Sequence, residues 1–136
     1  MSTVYALDTN MVSFFLKGNK DVINRVRNAL MHGNRLVIPP IVYYEVRRGL
    51  LVKDARKQTV AFDNLCKSIP IGDITLPMLD EAAAIYAGHR GSRHTIGDAD
   101  TLIAAFCIAN GFTLVTNNTK HFTHIEGLKL ADWTKA

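Results

Sequence analysis

A chain of 136 residues, 48% apolar and 21% charged, is long enough to bury a core within one domain and too apolar to remain disordered. Its net charge of +4 suits a polyanionic partner without naming one, and no apolar run is long enough to cross a bilayer. The N-terminus has no basic stretch followed by an apolar one, so no signal peptide and a cytoplasmic location are expected.

In chain order, Val4–Leu7 predicts a strand that runs directly into Asp8-Thr9-Asn10. Met11–Leu16 reads as a short helix closed by Gly18. From Asp21 to Met31, the residues Val22, Ile23, Val26, Ala29 and Leu30 share one helical face, and Gly33 stops the helix. Leu36–Ile38 is a short buried strand. Pro39-Pro40 breaks it, with Pro40 suited to a first helical turn. Helices are expected over Ile41–Leu51, which carries Glu45, and over Lys53–Cys66. Ile69–Ile71 is a candidate strand and Pro77–Gly88 an alanine-rich helix. Gly88–Gly97 is a basic, glycine-rich loop. Asp98 is expected to cap a helix over Ala99–Asn110, which Gly111 ends. Thr113–Thr116 and Leu128–Leu130 complete the sheet. Short β-rich runs alternating with longer helical periods argue for an α/β fold, a single domain over residues 1–136.

Polar residues fall where strands end and helices begin: Asp8-Thr9-Asn10, Gly97-Asp98-Ala99-Asp100 and Thr116-Asn117-Asn118. Open parallel sheets bind ligands outside the carboxyl ends of their strands. Acids placed there, with no thiolate or histidine set beside them, point to a hard divalent cation such as Mg²⁺. Asp8, Glu45 and Asp100 are the candidates for one site. Carboxylates gathered without a cation repel one another. A cation that neutralised them would bring the water activation and phosphoryl polarisation that hydrolyse a phosphodiester. Each acid also has an ordinary explanation. Asp8 suits a strand-end turn, Glu45 a solvated helix face, and Asp98 and Asp100 a helix N-terminus. Cys66 and Cys107 lie in apolar contexts without a CxxC pair and are expected to be reduced packing residues.

Five strings together resemble the PIN-domain ribonucleases, and specifically the toxins of the VapC type, over nearly the whole chain. They are Leu7-Asp8-Thr9-Asn10, Glu45 in the helix after the second strand, Ile96–Ala105, Leu114–Asn118 followed by Phe122, and Gly127–Trp133. The resemblance implies a flavodoxin-like fold, a central parallel sheet flanked by helices, with an acidic Mg²⁺ or Mn²⁺ pocket and endoribonuclease activity. It maps the three acids onto Asp8, Glu45 and Asp100. Many members carry a fourth acid where this chain has Asn118, beside Asn117. An amide oxygen can ligate but brings no charge, and Asp98 is near enough in sequence to supply some. Thr9, Asn10, Thr116 and Asn117 are expected to hydrogen-bond the carboxylates or metal waters. The implied partners are a VapB-like antitoxin, an RNA substrate and a second copy of the chain. The Thr-Asn-Asn string and Asp-Trp tail also resemble toxins that cut the initiator tRNA anticodon loop. The alternative is a catalytically inactive PIN domain serving as an RNA- or protein-binding module. A phospho-receiver domain would need a phosphoryl-accepting Asp where this chain has Pro39-Pro40.

Arg90, Arg93 and His94 precede Asp100, and Lys120, His121 and His124 follow Asn118. These segments are expected at the pocket mouth, where they would meet RNA phosphates. Met11–Leu16 is more apolar than a one-faced helix needs. With the aromatic residues beside Glu45 it suggests a groove for the antitoxin around Phe14, Phe15 and Tyr43.

Overall fold

The structure is a computed structural model that describes residues 3–92 and 96–134. Four short strands, β1 (Val4–Leu7), β2 (Arg35–Val37), β3 (Thr113–Val115) and β4 (Lys129–Ala131), form one sheet in the order β2-β1-β3-β4, every pair parallel. Strands this short hold because the sheet is covered on both faces: Ala6, Leu7, Leu114 and Val115 are fully buried. The expected Ile69–Ile71 strand contributes a single parallel bridge from Ile71 to Ile38, at the end of β2. Ile38 N–H donates to the Pro70 carbonyl at 2.9 Å and Gly72 N–H to the Ile38 carbonyl at 2.8 Å.

The helices are α1 (Thr9–Leu16), α2 (Lys20–Met31), α3 (Pro40–Lys53), α4 (Arg56–Ser68), α5 (Leu76–His89), α6 (Asp98–Asn110) and the single turn α7 (Thr119–Phe122). None among the described residues is long and apolar enough to cross a membrane. Three local expectations are corrected. Gly97, not Asp98, is the N-cap of α6, and no side chain caps that helix; Asp98 is its first residue. The helix expected from Lys53 begins at Arg56, because Asp54 sits in the left-handed region at φ 49° and separates α3 from α4. Leu30 is 44% exposed, off the face that Val22, Val26 and Ala29 bury.

β1 is central, with β2 on one side and β3 on the other. The chain leaves β1 toward β2 and returns to β3 from the opposite direction, so the crevice opens at the carboxyl ends of β1 and β3. The pairing continues past the strands: Asp8 N–H donates to the Val115 carbonyl at 3.1 Å, and Thr116 N–H to the Ala131 carbonyl at 2.9 Å. Beyond β4, the buried Trp133 packs its ring on Tyr5 at 5.1 Å between centroids, fastening the chain to β1.

Gly72 leaves room for α6. A Cβ there would overlap the ring of Phe106, which is buried on that helix. Gly72→Ala is therefore expected to lower stability by about 1–3 kcal/mol through overpacking, read as a lower denaturant midpoint with an unchanged slope.

Candidate active site

Asp8 follows β1 and is the N-cap of α1, where its Oδ1 accepts the Met11 N–H at 2.8 Å. The side chain of Thr116, fully buried just past β3, is hydrogen-bonded to the Asp8 carboxyl. The same hydroxyl oxygen accepts the Asn118 N–H at 3.0 Å, which leaves its proton for Asp8. Asp8 itself is only 7% exposed. Its pKa is pushed up from 3.8 to about 6. Burial is the main cause. The bonds from Thr116, Met11 and the Asn10 backbone oppose it, and the charge of Asp100 adds to it.

Asp100 lies in the first turn of α6, its side chain partly exposed, with Oδ2 2.8 Å from Nε2 of His121. Glu45, on α3, is bonded to the residue that follows Asp8 rather than to either of these acids. Its Oε1 accepts from the Thr9 hydroxyl at 2.7 Å, and its Oε2 stands 3.6 Å from Nη2 of Arg48. Arg48 is mostly exposed and lies over the Tyr44 ring, so this pair is screened by solvent. From Glu45 a groove of about 90 Å³ runs between α1 and α3, lined in part by Ser13, Lys17, Gly49 and Lys53.

The flanking amides differ in what they do. Asn10 Nδ2 donates to Asn117 Oδ1 at 3.2 Å and ties the first turn of α1 to the loop after β3. Asn118 caps α7 without a side-chain bond and is exposed, as is Asp98. Arg90 is exposed at the end of α5 and Lys120 on α7. Arg93 and His94 lie outside the described residues. Phe14 and Phe15 are half-buried against the core. Tyr43 is occupied between α3 and α4: it packs on Phe62 at 5.5 Å, and its hydroxyl accepts from Arg47 at 3.1 Å. The exposed ring beside Glu45 is that of Tyr44. His121 is the residue that sequence reasoning undervalued. It was grouped with basic side chains at the pocket rim, and no local pattern marks it as a partner of Asp100.

Among the described residues, no three His, Cys, Asp or Glu side chains form a ready-made cage for a metal. The donor set at the crevice is a carboxylate pair, Asp8 and Asp100, with hydroxyl and amide oxygens around it. All-oxygen sites of this kind fit Mg²⁺, which keeps several waters and is held through one or two carboxylates. The raised pKa of Asp8 is the mark of a negative charge that the fold leaves uncompensated.

That charge has a consequence for stability. Because the Asp8 pKa is higher in the folded than in the unfolded chain, the folded protein binds more protons between pH 3.8 and about 6. Stability therefore falls as pH rises through that window. A rise of this size corresponds to roughly 3 kcal/mol. In EDTA, Asp8→Asn, which keeps an N-cap oxygen for Met11, is expected to abolish the decline and melt above the parent near neutral pH. A parental pH profile in the variant would assign the decline to another group.

The PIN-domain family model matches residues 5–128. Ribonuclease VapC1 of Haemophilus influenzae (strain R2866) is 27% identical over 97% of this chain and 99% of its own. The "tRNA(fMet)-specific endonuclease VapC" of Shigella flexneri is 27% identical over 96% and 98%. Among solved structures, a chain of VapBC2 from Rickettsia felis, bound to a promoter DNA fragment, superposes with a TM-score of 0.87 at 28% identity, covering 96% of this chain and 99% of that one. A parallel α/β sheet with acids gathered at its carboxyl edge is thus accompanied by likeness along nearly the full length: the chain belongs to the PIN-domain family, in the group of the VapC ribonucleases.

Proposed function

We propose that this protein is a divalent-metal-dependent endoribonuclease and the toxin of a toxin–antitoxin pair, with Mg²⁺ or Mn²⁺ held at Asp8 and Asp100. The observation that carries the reading is Asp8: a buried carboxylate at the end of the central strand, facing a second carboxylate, with its pKa raised to about 6. When bound, such a cation lowers the pKa of a water and polarises a phosphoryl oxygen.

The chain's own residues supply the rest. Met11 N–H and Thr116 fix the Asp8 carboxylate, and Thr9 fixes Glu45 through Oε1. Oε2 of Glu45, only loosely engaged by the exposed Arg48, is left to take a proton from the attacking water. Asn10 and Asn117 hold the start of α1 against the loop after β3. The exposed Asp98 and Asn118 are proposed to accept hydrogen bonds from the cation's waters. Arg90 and Lys120, with Arg93 and His94 nearby in sequence, are proposed to meet RNA phosphates, whose charge dominates nucleic-acid affinity.

The initiator tRNA anticodon loop is the proposed substrate, supported by the similarity to the tRNA(fMet)-specific endonuclease of Shigella flexneri. A VapB-like antitoxin is the proposed partner, supported by the VapBC complexes among the structural relatives. Its proposed footing is the groove around Phe14, Phe15 and Tyr43, which pack against the core, with the exposed Tyr44, Leu51, Val52 and Val60 of α3 and α4 as further apolar surface. Exposed Leu76, Leu79 and Tyr86 on α5 favour a homodimer. The uncharged Asn118, exposed where a further acid would add charge, favours the second reading, an inactive binding module.

Cleavage decides between them. Asp8→Asn, Asp100→Asn and Glu45→Gln are each expected to lose RNA cleavage while melting cooperatively, and EDTA to abolish cleavage that Mg²⁺ or Mn²⁺ restores. A chain that binds tRNA but never cuts it, whatever the metal, would be the inactive module. Asn118→Asp places a carboxylate at the mouth of the site and is expected to tighten Mn²⁺ binding by calorimetry. Unchanged affinity would put residue 118 out of reach of the cation.

A further inference from the structure

We propose that His121 is a positioning residue: its Nε2–H holds Oδ2 of Asp100 and so sets that carboxylate beside Asp8 for a divalent cation. The inference rests on the metal-dependent reading above and deepens it by one residue.

Asp100 sits in an open first turn of α6 with its side chain partly exposed. Left to itself, a carboxylate there would turn away from Asp8, since the two acids repel. The 2.8 Å bond from His121 opposes that movement. The imidazole is itself restrained. It packs edge-on against Phe122, at 5.3 Å and 86°, and Phe122 is buried in the core. The His121 backbone N–H is bonded to the Asn118 carbonyl at 3.1 Å. One short segment thus grips both acids, Thr116 holding Asp8 and His121 holding Asp100. The contact needs no particular charge on the ring, because Nε2 donates in the imidazolium and in one neutral tautomer alike. Fixing a carboxylate before the cation arrives removes an ordering cost from binding, and groups that orient metal ligands commonly change affinity by about 10–100-fold when mutated.

The test is calorimetric titration of Mn²⁺ into the parent, His121→Gln, His121→Leu and Asp100→Asn, with thermal melts to establish folding. Gln and Leu both fill the space over Phe122, but only Gln keeps a donor near the Nε2 position. Leu is expected to weaken Mn²⁺ binding by roughly tenfold or more, and Gln to stay close to the parent. Parental or tighter binding by the Leu variant would overturn the proposal; tighter binding would mean that His121 competes with the cation for Asp100. Equal loss in Gln and Leu would overturn it too. If Asp100→Asn also binds like the parent, the cation is not held at Asp100, and the metal site proposed above falls with His121. Loss in Asp100→Asn without loss in His121→Leu removes His121 alone.

Discussion

The pairing of β1 with β3 is the constraint on which the rest of the structure depends. Its register sets Leu7 opposite Val115, both fully buried. A slip of one residue would exchange the side chains that meet on each covered face. The register is carried one step further by the bond from Asp8 N–H to the Val115 carbonyl. Asp8 and Thr116 are therefore neighbours because two apolar strands had only one good way to lie together. The acid site inherits its geometry from the core rather than from any attraction among the acids, which repel.

That inheritance creates an electrostatic conflict. Asp8 must follow the central strand immediately, and there it is buried. The Met11 N–H and the Thr116 hydroxyl both favour the charged form, yet burial and Asp100 outweigh them. Glu45 stands in a different position: it has a hydroxyl from Thr9 and the loose company of Arg48. The strain is concentrated at one carboxyl. Lys17 and Lys53 line the groove at Glu45 and Lys120 is exposed on α7. Lysines near Glu45 and on α7 give the proposed polyanionic substrate counter-charges outside the acids themselves.

Much of this was legible in the sequence, for identifiable reasons. Strands buried on both faces appear as unbroken apolar runs, so β1, β2 and β3 were found within a residue or so. Asp8 stood out because polar strings at three strand ends and helix starts fall where parallel sheets bind ligands. What escaped depended on the third dimension. Leu30 fits the helical period of its neighbours, but the core does not extend as far as its side chain. Asp98 looks like a cap, yet Gly97 takes the extended cap conformation one residue earlier. Glu45 is bonded to Thr9, and Asp100 to His121, both across long stretches of chain. A histidine in a polar turn reads like any solvated histidine until α7 is docked and Phe122 fixes its ring.

The helix α3 connects the two halves of the proposed biology by ordinary packing. Glu45 faces α1, where Thr9 holds it. Two residues on, Arg47 faces α4, stacked on Tyr43 and Phe62 at 5.2 and 4.9 Å from their ring centres and bonded to Asp63 at 2.8 Å. This Arg47 cluster is more than a surface pair, because the planar guanidinium is both stacked and hydrogen-bonded, and it makes α3 and α4 one stiff hairpin. The exposed apolar residues Leu51, Val52 and Val60 belong to that hairpin. A protein that covered them would bear on the same rigid element that presents Glu45, so recognition of a partner and control of an acid at the site need no long-range relay.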